Sequence, residues 1–277
     1  MPELPEVETV RRHLTATIPG RTVRSVKLSG KKLRSAVSRT IPARLAGRTF
    51  TQVRRHGKYL LADLDGGLTL LSHLGMSGRW LFHQEAPTRA LPHVHARIRF
   101  TDGSELWFQD PRRFGLLKLA ETSALEQQPD LRVLGPDPIA SPPTGESLHA
   151  MGRRARTPIK VFLLDQKRIA GIGNIYASEI LHRAFVDPRR RASGLSAAEW
   201  RAIARETSAV LAEAIDRMGT TFSSYRTLWN EPGAYGEQLR VYDRGGEACR
   251  RCGTTIRRLV QGQRSTYYCP ACQRRRK

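Results

Sequence analysis

Cysteine is absent from residues 1–248 of this 277-residue chain, and its four cysteines all lie within residues 249–272. Residues 1–248 therefore give no sign of the disulfide framework that stabilises many small secreted domains. Long apolar runs are absent too, since no stretch approaches the ~20 residues of a membrane-spanning helix. The N-terminus also lacks a basic-then-apolar signal pattern. These absences predict a soluble, cytoplasmic protein with no membrane partner.

Acidic residues are scarce relative to basic ones. The chain has 47 Lys and Arg against 25 Asp and Glu, which gives a net charge of +22. An excess of this size predicts a polyanionic partner, most economically nucleic acid, which binds through phosphate neutralisation and counterion release. An anionic membrane surface or ribosomal RNA would satisfy the same charge, so composition alone leaves these alternatives open.

The first 130 residues read as one helix followed by strands. Val7, Val10 and Leu14 recur at helical spacing between Leu4 and Ile18. An Asp-Gly pair at 102–103 is a strong hairpin signal between the last two strand-like segments. These features predict a β-sandwich or barrel led by a helix over residues 1–130. The strand-like segments are 22–29, 48–55, 58–64, 68–73, 94–100 and 104–109.

The second half of the chain changes character. Prolines concentrate between residues 129 and 145, which predicts an interdomain linker, here placed at 131–150. Helical patterns follow, one near 158–165 and one that runs from a Ser196–Glu199 capping box to a glycine stop. We therefore expect a helical domain over 151–235, with a loop-rich end, and a small cysteine-bearing domain over 236–277.

The cysteines follow a metal-binding spacing. Cys249 and Cys252 form one pair, and sixteen residues later Cys269 and Cys272 form another. Two such pairs on tight turns are typical of tetrahedral zinc, and four thiolates leave no open position for catalysis. We predict one structural Zn²⁺. Arg264, between the two pairs in a segment that lacks acidic residues, is a candidate phosphate contact.

The chain opens on Met1-Pro2-Glu3. Removal of Met1 leaves Pro2 with a free secondary amine, whose pKa near ~8 makes it a better nucleophile at neutral pH than lysine at about 10.4. Attack on a sugar carbon at the aldehyde oxidation level gives an iminium ion, and Glu3 can give or take a proton beside it. The same dipeptide also suits the start of a helix, so on its own it does not distinguish a catalytic amine from an ordinary helix N-terminus.

Three loops carry further candidates. Lys58 follows His56-Gly57, where glycine permits a tight turn that can bring the lysine to a ligand. Met76 and Phe114 each follow a strand and lie near arginines. They fit a hydrophobic core, or they are exposed wedges that insert between stacked bases. Periodicity does not separate these two interpretations. Asn174 follows a Gly-Ile-Gly turn and is a candidate helix N-cap.

Together these motifs resemble the bacterial formamidopyrimidine-DNA glycosylase family, over essentially the whole chain. The resemblance implies an α+β multidomain protein with an N-terminal β-sandwich, a helix–two-turn–helix domain and a zinc-finger β-hairpin, with DNA in the cleft between them. It also implies a monomeric, nucleoid-associated bacterial repair enzyme for duplex DNA with oxidised bases or abasic sites. The motifs that carry it are 2–9, 56–59, 73–76, 110–115, 171–177 and the cysteine finger with Arg264.

The resemblance implies a role for individual residues. Pro2 is the expected nucleophile at sugar C1′, and Glu3 the general acid/base that helps to open the sugar ring. Lys58 and Arg264 are expected to assist catalysis through phosphate contacts, with Asn174 as a second clamp. The remaining DNA-binding candidates are His73, His95, Lys160 and the trio Met76, Arg112 and Phe114, which fills the hole left by an extruded nucleotide, with Arg112 facing the orphaned cytosine.

Two alternatives stay open at this point. The related endonuclease VIII branch uses the same chemistry on oxidised pyrimidines. Residues 219–244 resemble the lesion-capping loop, and Ser223 and Ser224 depart from the charged pattern expected there, which leaves lesion preference open. The second alternative is a non-catalytic nucleic-acid binder that uses only the zinc ribbon and the basic surface. Such a binder has no need of a free Pro2 amine.

Overall fold

The computed structural model describes residues 1–89, 91–222 and 225–274, so Ser223, Ser224 and the last three residues of the basic tail lie outside the described residues. The chain packs into two compact units, Met1–Arg132 with Arg217–Gly236, and Val133–Asp216 with Glu237–Lys277. No helix in the described part of the chain is long and apolar enough to cross a membrane.

The first unit is a β-sandwich led by a helix, as the sequence predicts. Its sheets have the strand orders β1-β6-β7-β5 and β2-β3-β4-β8, and neighbouring strands are antiparallel. The elements are α1 (Leu4–Thr15), β1 (Val23–Leu28), α2 (Ile41–Leu45), β2 (Phe50–His56), β3 (Tyr59–Leu64), β4 (Leu68–His73), β5 (Arg79–His83), β6 (Val94–Phe100), β7 (Glu105–Gln109) and β8 (Leu116–Glu121).

The core of this unit lies between the two sheets and beneath α1. Alternate residues of the strands point inward, and the rings of Phe50 and Phe100 meet edge to face at 6.1 Å. Val7, Val10 and Leu14 of α1 belong to the same buried cluster. Each fully buried side chain of this size contributes about 1.5–3 kcal/mol, so the cluster holds α1, and the residues just before it, rigidly.

The second unit is helical with one β-hairpin. The predicted capping box is confirmed, since Ser196 N donates to Glu199 Oε2 at 2.8 Å and Glu199 N donates to Ser196 Oγ at 3.3 Å. The elements are α3 (Gly145–Gly152), α4 (Ile159–Leu164), α5 (Asn174–Arg183), α6 (Ala197–Asp216), β9 (Arg257–Gln261) and β10 (Arg264–Tyr268).

Helix α3 occupies the end of the stretch predicted as a linker. Thr144 caps it, because its Oγ1 accepts from Ser147 N at 3.1 Å. Gly152 packs against the Trp200 ring so closely that a Cβ atom would lie 2.2 Å from it. A short helix with a good cap and a buried face therefore forms here despite the prolines that precede it.

Residues 217–236 pack with the first unit, although the sequence interpretation groups them with the helical domain. The cause is Glu6, whose buried carboxylate accepts a hydrogen bond from Thr220 N at 2.7 Å. Tyr225 adds a bond from its hydroxyl to the Glu6 carbonyl at 3.4 Å. A buried carboxylate without such donors would be costly, so the segment after α6 is held against α1.

Candidate active site and nucleic-acid interface

Pro2 and Glu3 lie at the start of α1, and both are buried. Glu3 is the helix N-cap in extended backbone, and its amide donates to Glu6 Oε2 at 2.7 Å. Carboxylates are stabilised at this positive end of a helix. The N-terminal residues therefore have a fixed position, with Glu3 directly after Pro2 in the chain.

The turn that carries Lys58 is braced against α1. Gly57 has φ 56°, a left-handed conformation that suits glycine. Arg55 donates to the Gly57 carbonyl at 2.9 Å and to Glu8 Oε2 at 2.9 Å. Burial would raise the pKa of Glu8, but hydrogen bonds from Arg11 and Arg55 outweigh it and lower that pKa. Glu8 thus stays charged and ties the Lys58 turn to the N-terminal helix.

His73 ends β4 as a neutral hydrogen-bond donor. Its Nδ1 accepts from Gly75 N at 2.8 Å, which places the ring proton on Nε2. Burial, followed by the positive charges of Arg34 and Lys58, lowers the pKa of His73 to about 3. The imidazole is therefore uncharged at physiological pH, and it offers an N–H group to an acceptor such as a phosphate oxygen.

Met76 and Phe114 are exposed, so they do not belong to the hydrophobic core, one of the two interpretations that periodicity left open. Met76 is 37% exposed and Phe114 is 45% exposed. The Arg112 guanidinium carbon lies 4.9 Å from the centre of the Phe114 ring, a cation–π arrangement. Two large apolar side chains next to a stacked arginine, all on loops of one unit, fit a surface that inserts into stacked bases.

Asp110 organises the loops that carry this trio, a role that sequence reasoning missed. Its carboxylate accepts from Ser77 Oγ at 2.6 Å and from Gly115 N at 2.7 Å. Ser77 Oγ in turn accepts from Arg112 N at 3.2 Å. Asp110 is fully buried, so its hydrogen bonds are strongly favoured over an unpaired charge. The loop after β4 and the loop after β7 are thus one connected structure.

Gly75→Ala should disrupt both loops at once. Gly75 has φ 62°, and a Cβ atom there would lie 2.4 Å from the carbonyl carbon of Phe114. The backbone strain costs about 1–2 kcal/mol, and the clash with backbone adds a similar amount. Gly103→Ala is the matched control, since Gly103 has φ 90° but open space around it. We expect a larger loss of thermal stability and of base excision for Gly75→Ala, and equal effects would contradict this packing argument.

His95, which the resemblance implies as a DNA contact, is buried within the first unit. It is only 4% exposed, and its Nδ1 pairs with Ser29 Oγ at 2.9 Å. Its Nε2 pairs with the Asp110 carbonyl at 3.0 Å. Both ring nitrogens are used within the protein, because β6 turns this side chain inward. His95 therefore braces the loop that begins at Asp110.

Lys160, which the resemblance implies as a DNA backbone contact, is buried at 0% exposure. Its Nζ donates to Asn174 Oδ1 at 2.7 Å, to the Ser265 carbonyl at 2.8 Å and to Thr266 Oγ1 at 2.8 Å. Lys160 thus joins α4, the first residue of α5 and strand β10. It also orients the Asn174 amide, since Oδ1 faces the ammonium and Nδ2 is left to donate.

The contacts of Lys160 with α5 and β10 bring Asn174 close to Arg264. Asn174 is the first residue of α5 rather than its N-cap, which is Gly173, and its Nδ2 donates to the Ser265 carbonyl at 3.0 Å. Arg264 immediately precedes Ser265, is exposed, and lines a groove of about 310 Å³ with Phe162. The structure therefore brings Asn174, Lys160 and Arg264 together within the second unit.

The four cysteines converge on one point. Their sulfur atoms all lie within 4.8 Å of one another, and Cys252 Sγ is 3.5 Å from Cys269 Sγ. Tetrahedral zinc with Zn–S bonds near 2.3 Å separates its sulfurs by about 3.8 Å. The donor set and its spacing fit one structural Zn²⁺, which would hold the two cysteine turns and thereby the β9–β10 hairpin.

Helix α5 carries two supporting residues that sequence reasoning missed. Glu179 is buried, and its carboxylate accepts from the amides of Arg240, Val241 and Tyr242 at 2.8–3.0 Å. Burial raises the pKa of Glu179. His182 Nε2 lies 3.6 Å from Cys249 Sγ. Glu179 and His182 are three residues apart, so they lie on one face of α5, and this spacing is the sequence signal that could have identified them. Together they fix the cysteine finger to α5.

Three family models match the chain in order. They describe the formamidopyrimidine-DNA glycosylase N-terminal domain at residues 1–117, the H2TH domain of that glycosylase at 134–226, and a zinc finger found in FPG and IleRS at 246–275. The first match covers the β-sandwich, the second most of the helical part and the third the cysteine finger.

Curated relatives and solved structures agree with these matches. Formamidopyrimidine-DNA glycosylases of Xanthomonas euvesicatoria and Methylococcus capsulatus are 42% and 43% identical, over 99% of this chain and 100% of theirs. The Lactococcus lactis Fpg complex with abasic-site DNA superposes with a TM-score of 0.91 at 29% identity, covering 99% of this chain and 100% of that one. MutM (Fpg) of Thermus thermophilus gives 0.87 at 38% identity, covering 98% of each chain. The chain belongs to the formamidopyrimidine-DNA glycosylase family.

Proposed function

We propose that this protein is a bifunctional DNA glycosylase and abasic-site lyase of base excision repair, which removes oxidised purines from duplex DNA. The observation that carries the proposal is the buried Pro2-Glu3 pair at the N-terminus of α1, which provides a nucleophile and an acid in one fixed place. Relatives with this architecture are complexed with DNA that contains Fapy-dG or an abasic site. Zinc, held by the four cysteines, has a structural role.

The chemistry follows from a secondary amine. After removal of Met1, the Pro2 nitrogen bonds to C1′ of the damaged nucleotide, while the bond from C1′ to the base breaks and the base leaves with a proton. Glu3 transfers protons to and from the sugar, which opens its ring. The product is an iminium ion, in which the positive nitrogen acidifies the C2′ hydrogen. Loss of that proton expels the 3′ phosphate, a second elimination expels the 5′ phosphate, and water releases Pro2.

Attack at C1′ requires that the nucleotide leave the stack, at a cost of a few kcal/mol. Met76, Arg112 and Phe114 offset this cost by filling the hole, with Arg112 donating to the orphaned cytosine. The exposure of these side chains and the bracing by Asp110 support this role. Lys58 and His73 of the first unit contact DNA phosphates, as do Asn174 and Arg264 of the second, and Lys160 orients the Asn174 amide.

The proposed function also implies a domain organisation and a cellular location. We infer three domains in the order β-sandwich, helix–two-turn–helix and zinc finger, and the family matches at 1–117, 134–226 and 246–275 support this order. The second match begins inside the stretch 131–150 that the sequence predicts as a linker, so the helical domain starts earlier than the predicted residue 151. The relatives named above are bacterial, and their substrate is DNA, so we propose that this protein acts as a monomer on the nucleoid in the cytoplasm.

Lesion choice is tested with a panel of matched duplexes. The chain is incubated with 8-oxoguanine opposite cytosine, with an oxidised pyrimidine in the same context, and with undamaged DNA, and base release is followed under single-turnover conditions. We expect fastest release of 8-oxoguanine. Faster release of the oxidised pyrimidine would move the protein to endonuclease VIII-type specificity, and no release from either duplex would support a zinc-ribbon binder without catalysis.

Arg264→Ala should weaken binding of lesion DNA and flatten its salt dependence. Arg264 is exposed at the β9–β10 turn, and loss of one phosphate contact lowers the slope of log K against log salt by about one. Arg257→Ala is the control, because Arg257 is an exposed arginine of the same hairpin at the far end of β9. Equilibrium binding over a salt series checks the prediction. An unchanged slope for Arg264→Ala would show that Arg264 does not contact a phosphate.

A further inference from the structure

The β1-β6-β7-β5 sheet carries a cationic groove that none of the roles above uses. In register, Lys27 of β1 lies opposite Arg97 of β6, and Arg97 lies opposite Trp107 of β7. The intervening residues of these strands, such as Ile98, face the core, so these side chains are on the outer face. The cavity, here called the outer groove, has a volume of about 300 Å³ and is lined by Ser25, Lys27, Arg97, Arg99, Glu105 and Trp107.

Lys27 and Arg97 form an unfavourable pair in the free protein. Cross-strand neighbours have Cβ atoms about 4.5–5.5 Å apart, and like charges placed directly opposite each other destabilise a sheet. Neither side chain forms an ion pair with any carboxylate in the described residues. Arg97 is instead held over the Trp107 ring, with its guanidinium carbon 4.4 Å from the ring centre. Two positive charges are thus held together without an ion-pair partner of their own, and an anionic ligand would supply one.

The floor of the outer groove limits what that ligand can be. Glu105 is buried, and it already accepts from Arg99 Nε at 2.7 Å and from Trp107 Nε1 at 2.5 Å. Trp107 is only 1% exposed, so it offers no free ring face on which a base can stack. The groove therefore suits the recognition of negative charge without base recognition, which is the chemistry of a phosphate backbone.

The outer groove is separated from the base-inserting loops of the same unit. Those loops leave the sheet where Arg79 of β5 pairs with Gln109 of β7. Trp107, which lies level with Lys27 and Arg97, is about 7 Å further along β7, and Glu105 is about 13 Å further, at ~3.3 Å per residue. The groove thus lies beyond the base-inserting loops along the strands, and neither Met76 nor Phe114 lines it.

We propose that the outer groove is a second, lesion-independent phosphate-binding site that holds the backbone of a DNA segment other than the one under repair. The proposal rests on the proposed function, because DNA is the polyanion that this protein meets in its reaction. Lys27 and Arg97 supply the two positive charges that neutralise neighbouring phosphates, since the adjacent Arg99 is paired with Glu105. Contact with a second segment favours transfer between DNA segments during the search for lesions.

The test is binding of a second duplex to a protein already saturated with an uncleavable abasic-analogue duplex. A short, labelled, undamaged duplex is titrated into this complex over a salt series. We expect salt-dependent binding by the wild-type chain. Lys27→Ala with Arg97→Ala should weaken it by at least ~10-fold and lower the salt slope by about two. The charge-conserving pair Lys27→Arg with Arg97→Lys should retain it, which separates lost charge from a disturbed sheet.

Arg44→Ala with Arg48→Ala is the charge-matched control, because both arginines lie in exposed ion pairs of the same unit, with Glu121 and Asp65. This control should bind the second duplex within about twofold of wild type. Equal binding by the alanine groove variant would overturn the proposal, as would a wild-type complex that binds polyglutamate but not the duplex. Base release from the lesion duplex is measured in parallel, so failure of the proposed glycosylase function is seen separately from failure of the groove.

Discussion

Glu3→Gln is expected to lower the single-turnover rate of base excision by about 10²–10⁴-fold while binding to lesion DNA is retained. Glutamine keeps the shape of Glu3 at the start of α1 but cannot accept or donate the proton that the sugar requires. Glu3 is 2% exposed, so water cannot easily take its place. Removal of a negative charge near phosphates does not oppose binding, so the dissociation constant should stay the same or decrease.

Excision of 8-oxoguanine and binding of an abasic-analogue duplex are the two measurements for this variant. Glu146→Gln provides the control, because Glu146 also lies in the first turn of a helix but is exposed. Its excision rate should match wild type. A Glu3→Gln rate within twofold of wild type would rule out Glu3 as the acid/base, whereas equal losses of rate and affinity would indicate a structural role only.

Zinc removal should abolish binding of lesion DNA while leaving the β-sandwich folded. A structural zinc site of four thiolates contributes about 10–16 kcal/mol of apparent binding free energy, which becomes folding free energy of the hairpin. The β10 strand carries Arg264, and it meets Lys160 through Ser265 and Thr266. Without the metal, Cys252 and Cys269 no longer hold this strand, so the phosphate clamp of the second unit is lost.

The measurements are zinc content, equilibrium binding of lesion DNA and near-ultraviolet circular dichroism before and after chelation. Tryptophans 80 and 107 report on the first unit, which has no cysteine, and their signal should persist. We expect one zinc per chain, a loss of affinity above ~100-fold on chelation, and recovery when zinc is restored. Unchanged affinity in the metal-free chain would show that the hairpin folds without zinc.

Much of the fold was predictable where local rules act alone. Strands β4 and β6 have the predicted bounds, and the Asp102-Gly103 turn helps to specify where β6 ends. Strands β5 and β8 were not predicted, since short segments that follow irregular loops carry weak alternation. Helix α3 was also missed, because the prolines before it were read as a linker.

The sequence predicts the reactive residues of the site well. It predicts less well the buried residues that hold them in place. Pro2, Glu3 and the cysteines are recognised by motif and spacing. The burial of Lys160 could not be predicted, because its partners Ser265 and Thr266 are more than a hundred residues away in the chain. Exposure of Met76 and Phe114, and burial of His95, likewise depend on tertiary packing that no local pattern contains.

Covalent trapping is the most direct test of the central claim that Pro2 is the nucleophile. Protein whose intact mass shows loss of Met1 is incubated with an 8-oxoguanine:cytosine duplex, reduced with borohydride and digested for peptide mapping. The account predicts a stable adduct on the Pro2 nitrogen, and none with chain that retains Met1, whose Pro2 nitrogen remains in a peptide bond. An adduct on Lys58, or trapping by the chain that retains Met1, would contradict it.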